Sequence, residues 1–230
     1  PHLEPQQAPA VWRAMQEIEK RGVPNHYGTQ RFGYRRNTLR LGRMILARDW
    51  DGLAAEMLGT TGSWFPAHQR GQREAFEAGR FDEAAKGWGR RDVAERGMAN
   101  AIAKGRSTEE AVATVSRQMR NFWVSALQSS IFNHLLEERI KAGTIDRILE
   151  GDVAFRHDSR RSFLADAGML EREDLAAQAA AFELSPGGPI LGPGMPQATG
   201  AVLDSERAAF ADAGVDATAF AGDGLDFKGT

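Results

Sequence analysis

Cysteine is absent from all 230 residues. That excludes disulfides, thiolate metal sites and a cysteine nucleophile, and it fits a cytoplasmic protein. Long apolar runs are lacking too: none approaches the length of a membrane-spanning helix. The opening residues, Pro-His-Leu-Glu-Pro, have no signal-peptide layout and no initiator methionine, so we expect a piece of a longer chain. Net charge is nearly absent as well. At −2 it predicts ordinary solubility and no general affinity for polyanions. That total hides an asymmetry. Residues 13–48 hold nine Lys/Arg against two Glu, whereas residues 164–230 hold three Lys/Arg against eleven Asp/Glu. A basic first part and an acidic last part suggest a polyanion approaching the former. Apolar residues make up 42% of the chain, enough for a core in one large domain or two small ones.

The densest functional-looking stretch is Arg21-Gly-Val-Pro-Asn-His-Tyr-Gly-Thr-Gln-Arg-Phe-Gly33. Its glycines and proline exclude a regular helix. Asn25, His26, Gln30 and Arg31 put hydrogen-bonding groups on an irregular backbone, Tyr27 and Phe32 add ring faces, and Arg35 and Arg36 follow. Unstacked RNA bases and their phosphates need edges to read, planes to stack on and cations. A rigid loop with core-plugging aromatics and solvated arginines fits the same composition. Arg35, Arg36, Arg40 and Arg43 suit phosphate neutralisation and, equally, a solvated helix face.

Periodicity predicts mostly helix. Val11, Met15 and Ile18 mark an amphipathic helix over residues 10–21, ended by Gly22-Val-Pro24. Helices follow over 38–50, with Gly42 inside at a cost of about 1 kcal/mol relative to Ala, and over 51–58. Phe76 to Ala85 reads as a helix–turn–helix corner with Gly79 at the turn and Asp82 as N-cap. Ser107-Thr-Glu-Glu110 is a capping box opening a helix to about Arg117. The longest periodic segment, 120–142, places Val124, Leu127, Ile131, Leu135 and Ile140 near one face. Its Gln128, Asn133 and His134 read as flank residues bonded to backbone or water, not as metal ligands. Residues 148–155 and 162–165 read as two strands that pair, 172–182 as one helix, 185–196 as a turn system or link, and 202–213 as an acidic amphipathic helix. Phe220, Leu225 and Phe227 are expected as strand or docking contacts.

Four short segments carry a resemblance. G-V-P-N-H-Y-G-T-Q-R-F-G resembles the G-V-P-N-Y-F-G-x-Q-R-F-G segment of the TruD-type tRNA pseudouridine synthases. Ala126-Leu-Gln-Ser-Ser-Ile-Phe-Asn…Arg139 is similar to that family's A-Y-Q-S-x-x-F-N-x-x-x-x-x-R. Gly151-Asp-Val153 and Pro186-Gly-Gly-Pro-Ile-Leu-Gly192 match its G-D-V and P-T-G-P-L-x-G, in the same order. His26 and Leu127 depart from the family's aromatics.

The resemblance implies an α+β, helix-rich fold: part of a pseudouridine synthase catalytic sheet domain over residues 1–49 and the family's inserted TRUD domain over 50–230. It implies isomerisation of uridine to pseudouridine in tRNA, at position 13, with no metal and no organic cofactor. It implies a tRNA partner, no membrane association and a monomer. Asn25, Tyr27, Gln30 and Arg31 fall on the substrate-contacting positions. The family's nucleophilic aspartate lies upstream in a G-x-K-D motif, which these 230 residues do not contain. No aspartate here, including Asp49, Asp92 and Asp152, matches it, so no catalytic residue is assigned. We expect the chain to begin after the nucleophile strand and to be inactive alone. Two rivals remain: a non-catalytic RNA-binding or interaction protein, and a helical adaptor suggested by the corner at Phe76–Ala85.

Overall fold

The structure, a computed structural model, describes residues 4–172, 174–192 and 194–216. Eleven α-helices and three strands are placed among them. They gather into two compact units. One is made of the chain up to His26 with Asn133–Pro189 and Pro196–Arg207; the other is made of Tyr27–Phe132, Ile190–Met195 and the chain from Ala208. Phe220, Leu225 and Phe227 lie outside the described residues. No helix among the described residues is long and apolar enough to cross a membrane.

The first unit opens with α1 (Ala8–Arg21), which stops at Gly22 as the sequence requires. The period was read correctly, but the face it marks is not covered. Trp12, Met15 and Ile18 are 62%, 56% and 51% exposed. The sheet of this unit is antiparallel, in the order β2-β1-β3. Strands β1 (Val153–Arg156) and β2 (Arg161–Leu164) form the expected hairpin, with Val153 opposite Leu164. The third strand, β3 (Leu184–Pro186), was expected as part of a turn system. It pairs with β1 on an edge, where Pro186 needs no N–H of its own. The helix expected over 172–182 is present but shorter. The structure has α9 (Ala167–Arg172) and α10 (Leu175–Ala180), and Asp174 caps α10 by accepting from the Ala177 N–H at 2.9 Å. An Asp at that position serves the orphan donors of the first turn. Ile148, Ala154, Ala165, Leu175, Ala179 and Leu184 make this unit's core.

Among the described residues, the regular structure of the second unit is helical. It contains α2 (Thr38–Leu46), α3 (Trp50–Leu58), α4 (Arg70–Glu77), α5 (Phe81–Gly87), α6 (Val93–Ala103) and α7 (Thr108–Ala113). Neighbours pack in succession: α4 on α5, α5 on α6, α6 on α7, then α7 back onto α3, which packs on α2. The capping box is present, Ser107 Oγ accepting from the Glu110 N–H. Asp82 is not a cap: Arg80 holds that position and Asp82 lies in the first turn of α5. The long helix α8 (Arg117–Lys141) gives Arg117–Phe132 to this unit and Asn133–Lys141 to the other. Val124, Leu127 and Ile131 are buried, whereas Ile140 is exposed. Gly42 does not break α2. A Cβ there would stand 2.3 Å from the Trp123 carbonyl oxygen of α8, so glycine is what permits the two helices to touch.

Candidate functional site

The Arg21–Gly33 stretch leaves α1 without regular structure, the His26 N–H donating to the Pro24 carbonyl at 2.8 Å, and closes with a single 3-10 turn at Thr29–Phe32. Asn25 is exposed and belongs to the first unit. Its neighbour His26, also exposed, meets the Glu137 carboxylate at 3.3 Å. Tyr27, Gln30 and Arg31 belong to the second unit. Gln30 is exposed; Tyr27 and Arg31 are half-buried and in contact with each other.

Arg31 is clamped by α8. Its guanidinium lies 5.7 Å from the Tyr27 ring centroid and 5.5 Å from that of Phe122. Its Nε donates to Ser129 Oγ at 3.2 Å and its Nη2 to Ser125 Oγ at 3.0 Å. Both hydroxyls donate in turn to carbonyls of the helix, Ser125 to Phe122 and Ser129 to Ser125, so each hydroxyl both accepts and donates. The Tyr27 ring meets Phe132 edge-on at 5.5 Å. Phe122, Ser125, Ser129 and Phe132 follow one another at three- and four-residue steps, which is one face of a helix. That spacing was visible in the sequence.

The same wiring runs through the other short segments. Gln128 donates to the Leu191 carbonyl, joining α8 to the Pro186–Gly192 stretch. Within the first unit, Arg139 Nη1 and Nη2 bind the two oxygens of Asp152 at 2.6 and 3.0 Å. Gly151 adopts a left-handed φ of 88°, and a Cβ there would stand 2.2 Å from the Thr199 carbonyl oxygen. The residues that carry the resemblance therefore largely hold one another. Asp49, Asp92 and Asp152 have such tasks too: Asp49 accepts from Gly52 N–H, and Asp92 from Gly89 N–H and Gln69 Nε2.

Of the arginines expected at phosphates, Arg35 is corrected. It is buried and donates to the carbonyls of Trp64 and Glu56, which leaves its charge inside the fold. Arg36 and Arg43 are exposed, and Arg40 lies 3.4 Å from Glu56 with half its side chain in solvent. A second buried cation, Arg73, was not anticipated. It is 0% exposed, sits over the Phe65 and Trp88 rings at 4.6 and 5.2 Å, and donates to Gln69 Oε1 and the Gly59 carbonyl. Burial, then the like charge of Arg35, lowers its pKa to about 10, so it stays charged at neutral pH.

Beside the Arg139–Asp152 pair lies buried Glu206, whose pKa is pushed up to about 7, first by burial and then by the Asp152 charge, against the pull of Arg139. The unfolded chain ionises this carboxyl near 4.5. Below that pH both states hold the proton and the group's contribution is complete. As pH rises toward 7 only the unfolded state releases it, so about 3 kcal/mol of stability is lost across that window. Urea melts at pH 5 and pH 8 should show this loss, and Glu206→Gln should abolish it relative to the parent. Parallel pH profiles for the two proteins would contradict the assignment.

Comparison with known proteins places this arrangement, fold first. A solved structure from Methanosarcina mazei, provisionally assigned there as tRNA pseudouridine synthase D, matches 99% of this chain and 55% of its own at a TM-score of 0.83. At 23% identity that likeness establishes the α+β, helix-rich fold alone. The family model for tRNA pseudouridine synthase D (TruD) matches residues 2–230, and the chain belongs to that family. Among its curated relatives, tRNA pseudouridine synthase D of Geotalea daltonii is 32% identical over 83% of this chain and 47% of its own. That of Geobacter sulfurreducens is 33% identical over 88% of this chain and 48% of its own. The chain thus spans about half the length of these relatives.

Proposed function

We propose that this chain is the substrate-closing part of a tRNA pseudouridine synthase that isomerises uridine 13. The observation that carries the reading is the Asn25–Arg31 segment: an exposed carboxamide, then an aromatic ring backed by Phe132 and by a clamped arginine. Pseudouridine formation breaks the N1–C1′ bond, turns the uracil and rejoins it through C5, whose proton is lost as N1 gains one. The base must leave the helical stack for this. Asn25 offers a carboxamide to the extruded nucleotide, Tyr27 offers a stacking face, and Gln30 offers a second exposed amide. Arg31 lends its charge and holds Tyr27 in place. Residues 1–49 belong to the catalytic sheet domain and 50–230 to the inserted domain. The enzyme is a cytoplasmic monomer that uses no metal and no organic cofactor.

Because G-x-K-D is absent from these 230 residues, the chain alone should bind an unmodified tRNA transcript, more weakly as salt rises, and form no pseudouridine. In a protein joining this chain to a catalytic half with that motif, Asn25→Ala should cut turnover by about 100-fold, the scale of a misplaced reactant. Unchanged rate and unchanged tRNA affinity would remove Asn25 from the site. The second reading is a non-catalytic RNA-binding protein. Activity of the joined protein decides between them, and pseudouridine formed by the 230 residues alone would overturn the assigned division of labour.

A further inference from the structure

Two large rings of the second unit stand in solvent on backbone that the fold takes trouble to hold still. Tyr34 is 71% exposed and Trp64 is 66% exposed. Tyr34 lies inside the tight turn Gly33–Arg36, closed by the Arg36 N–H to Gly33 carbonyl bond at 3.1 Å. Arg36 takes a φ of 53° there, a conformation non-glycine residues avoid. The turn splits its neighbours: Arg35 goes inward, Tyr34 and Arg36 outward.

Trp64 lies in the loop between α3 and Ala67, held by side chains at Gly59, Thr60, Ser63 and Trp64 itself. Arg73 binds the Gly59 carbonyl at 2.6 Å; Glu77 accepts from the Thr60 N–H and hydroxyl at 2.7 and 2.6 Å; Glu56 accepts from the Ser63 N–H at 3.3 Å. The Trp64 carbonyl itself accepts from Arg35 Nε at 3.0 Å, and Asn37 Nδ2 binds Glu56 at 3.0 Å. The residue after Tyr34 is therefore tied directly to the residue that carries the second ring. Burying Arg35, Glu56 and Arg73 costs desolvation energy, and an apolar core would serve plain stability as well. What the buried charges secure is the posture of two segments whose outward side chains are rings and cations.

The surrounding charge selects the occupant. Residues 31–43 contain five arginines and no acidic residue. Arg36 and half of Arg40 face solvent. Rigid aromatic faces flanked by guanidinium groups suit unpaired bases on a phosphate backbone. We propose that Tyr34 and Trp64 form a base-stacking platform for a single-stranded part of the tRNA, apart from the Asn25–Arg31 segment, with Arg36 on the phosphates. This rests on the tRNA reading above and extends it to a second contact.

The test is binding of the 230-residue chain to an unmodified transcript of a tRNA with uridine at position 13, over a series of salt concentrations. Trp64→Ala and Tyr34→Ala should each weaken binding about tenfold, the scale of one lost base–aromatic stack, without changing the salt slope. Trp64→Phe and Tyr34→Phe should stay near the parent. Arg36→Gln should instead reduce the slope by about one. Both rings are exposed, so unfolding curves should not move. A 4-thiouridine-substituted transcript should photo-crosslink to the peptide carrying Trp64. Parent-like affinity in both alanine variants, with salt-dependent binding intact, would overturn the platform, leave the rings to a protein partner and spare the proposed function. No salt-dependent tRNA binding by the parent would overturn both.

Discussion

Asp152→Ala is expected to destabilise the protein by about 3–5 kcal/mol, the cost of leaving a buried charge without its partner. Asp152 is fully buried and accepts two parallel bonds from Arg139, at 2.6 and 3.0 Å, with a third from the Leu149 N–H at 2.7 Å. Arg139 in turn binds the Thr144 and Arg147 carbonyls at 3.2 and 2.7 Å. One ion pair thus fastens the end of α8 to the segment that leads into β1. Asp152→Asn keeps the shape but not the charge and should fall between. The loss should be larger at pH 5 than at pH 8, because only at the higher pH does removing Asp152 also relieve repulsion with ionised Glu206. Urea titrations at both pH values measure it. A loss under about 1 kcal/mol would mean that water reaches Arg139 freely.

Glu56→Ala should cost a similar amount, about 3–5 kcal/mol, read as a fall of about 10 °C in Tm. The Glu56 side chain is only 1% exposed, and it accepts from Asn37 Nδ2 and the Ser63 N–H. Arg35 lies 3.8 Å away on the buried side and Arg40 3.4 Å away on the wet side. Removing the carboxylate strands the buried guanidinium and an amide together. Glu56→Gln should recover part of the loss, since it keeps acceptors for Asn37 and Ser63 but not the charge. If Glu56→Ala melted with the parent, the Arg35 charge would have to be balanced elsewhere.

Apart from Asp82, local structure was readable where a side chain acts on its own backbone. Ser107 and Glu110 announced a helix start, Gly22-Val-Pro24 a helix end, and alternation on either side of Arg156–Arg161 a hairpin. The errors have the same origin in reverse. β3 is a strand because β1 offers it an edge, not because Leu184-Ser-Pro186 prefers to extend. Gly42 disfavours helix in isolation and is required where Trp123 crosses it.

The candidate site divides along the same line. By itself the sequence determined the irregular, amide-bearing character of the Asn25–Gln30 stretch and the family to which the chain belongs, because short motifs and turn chemistry are local. Only the tertiary structure decided which arginines are tools and which are timber. Arg31, Arg35 and Arg36 are of one type and lie within six residues, yet one is clamped between rings, one is buried and one faces solvent. A guanidinium's role depends on which hydroxyls, carbonyls and rings meet it. Those come from Ser125, Ser129, Phe122 and Trp64, distant positions that folding alone brings near.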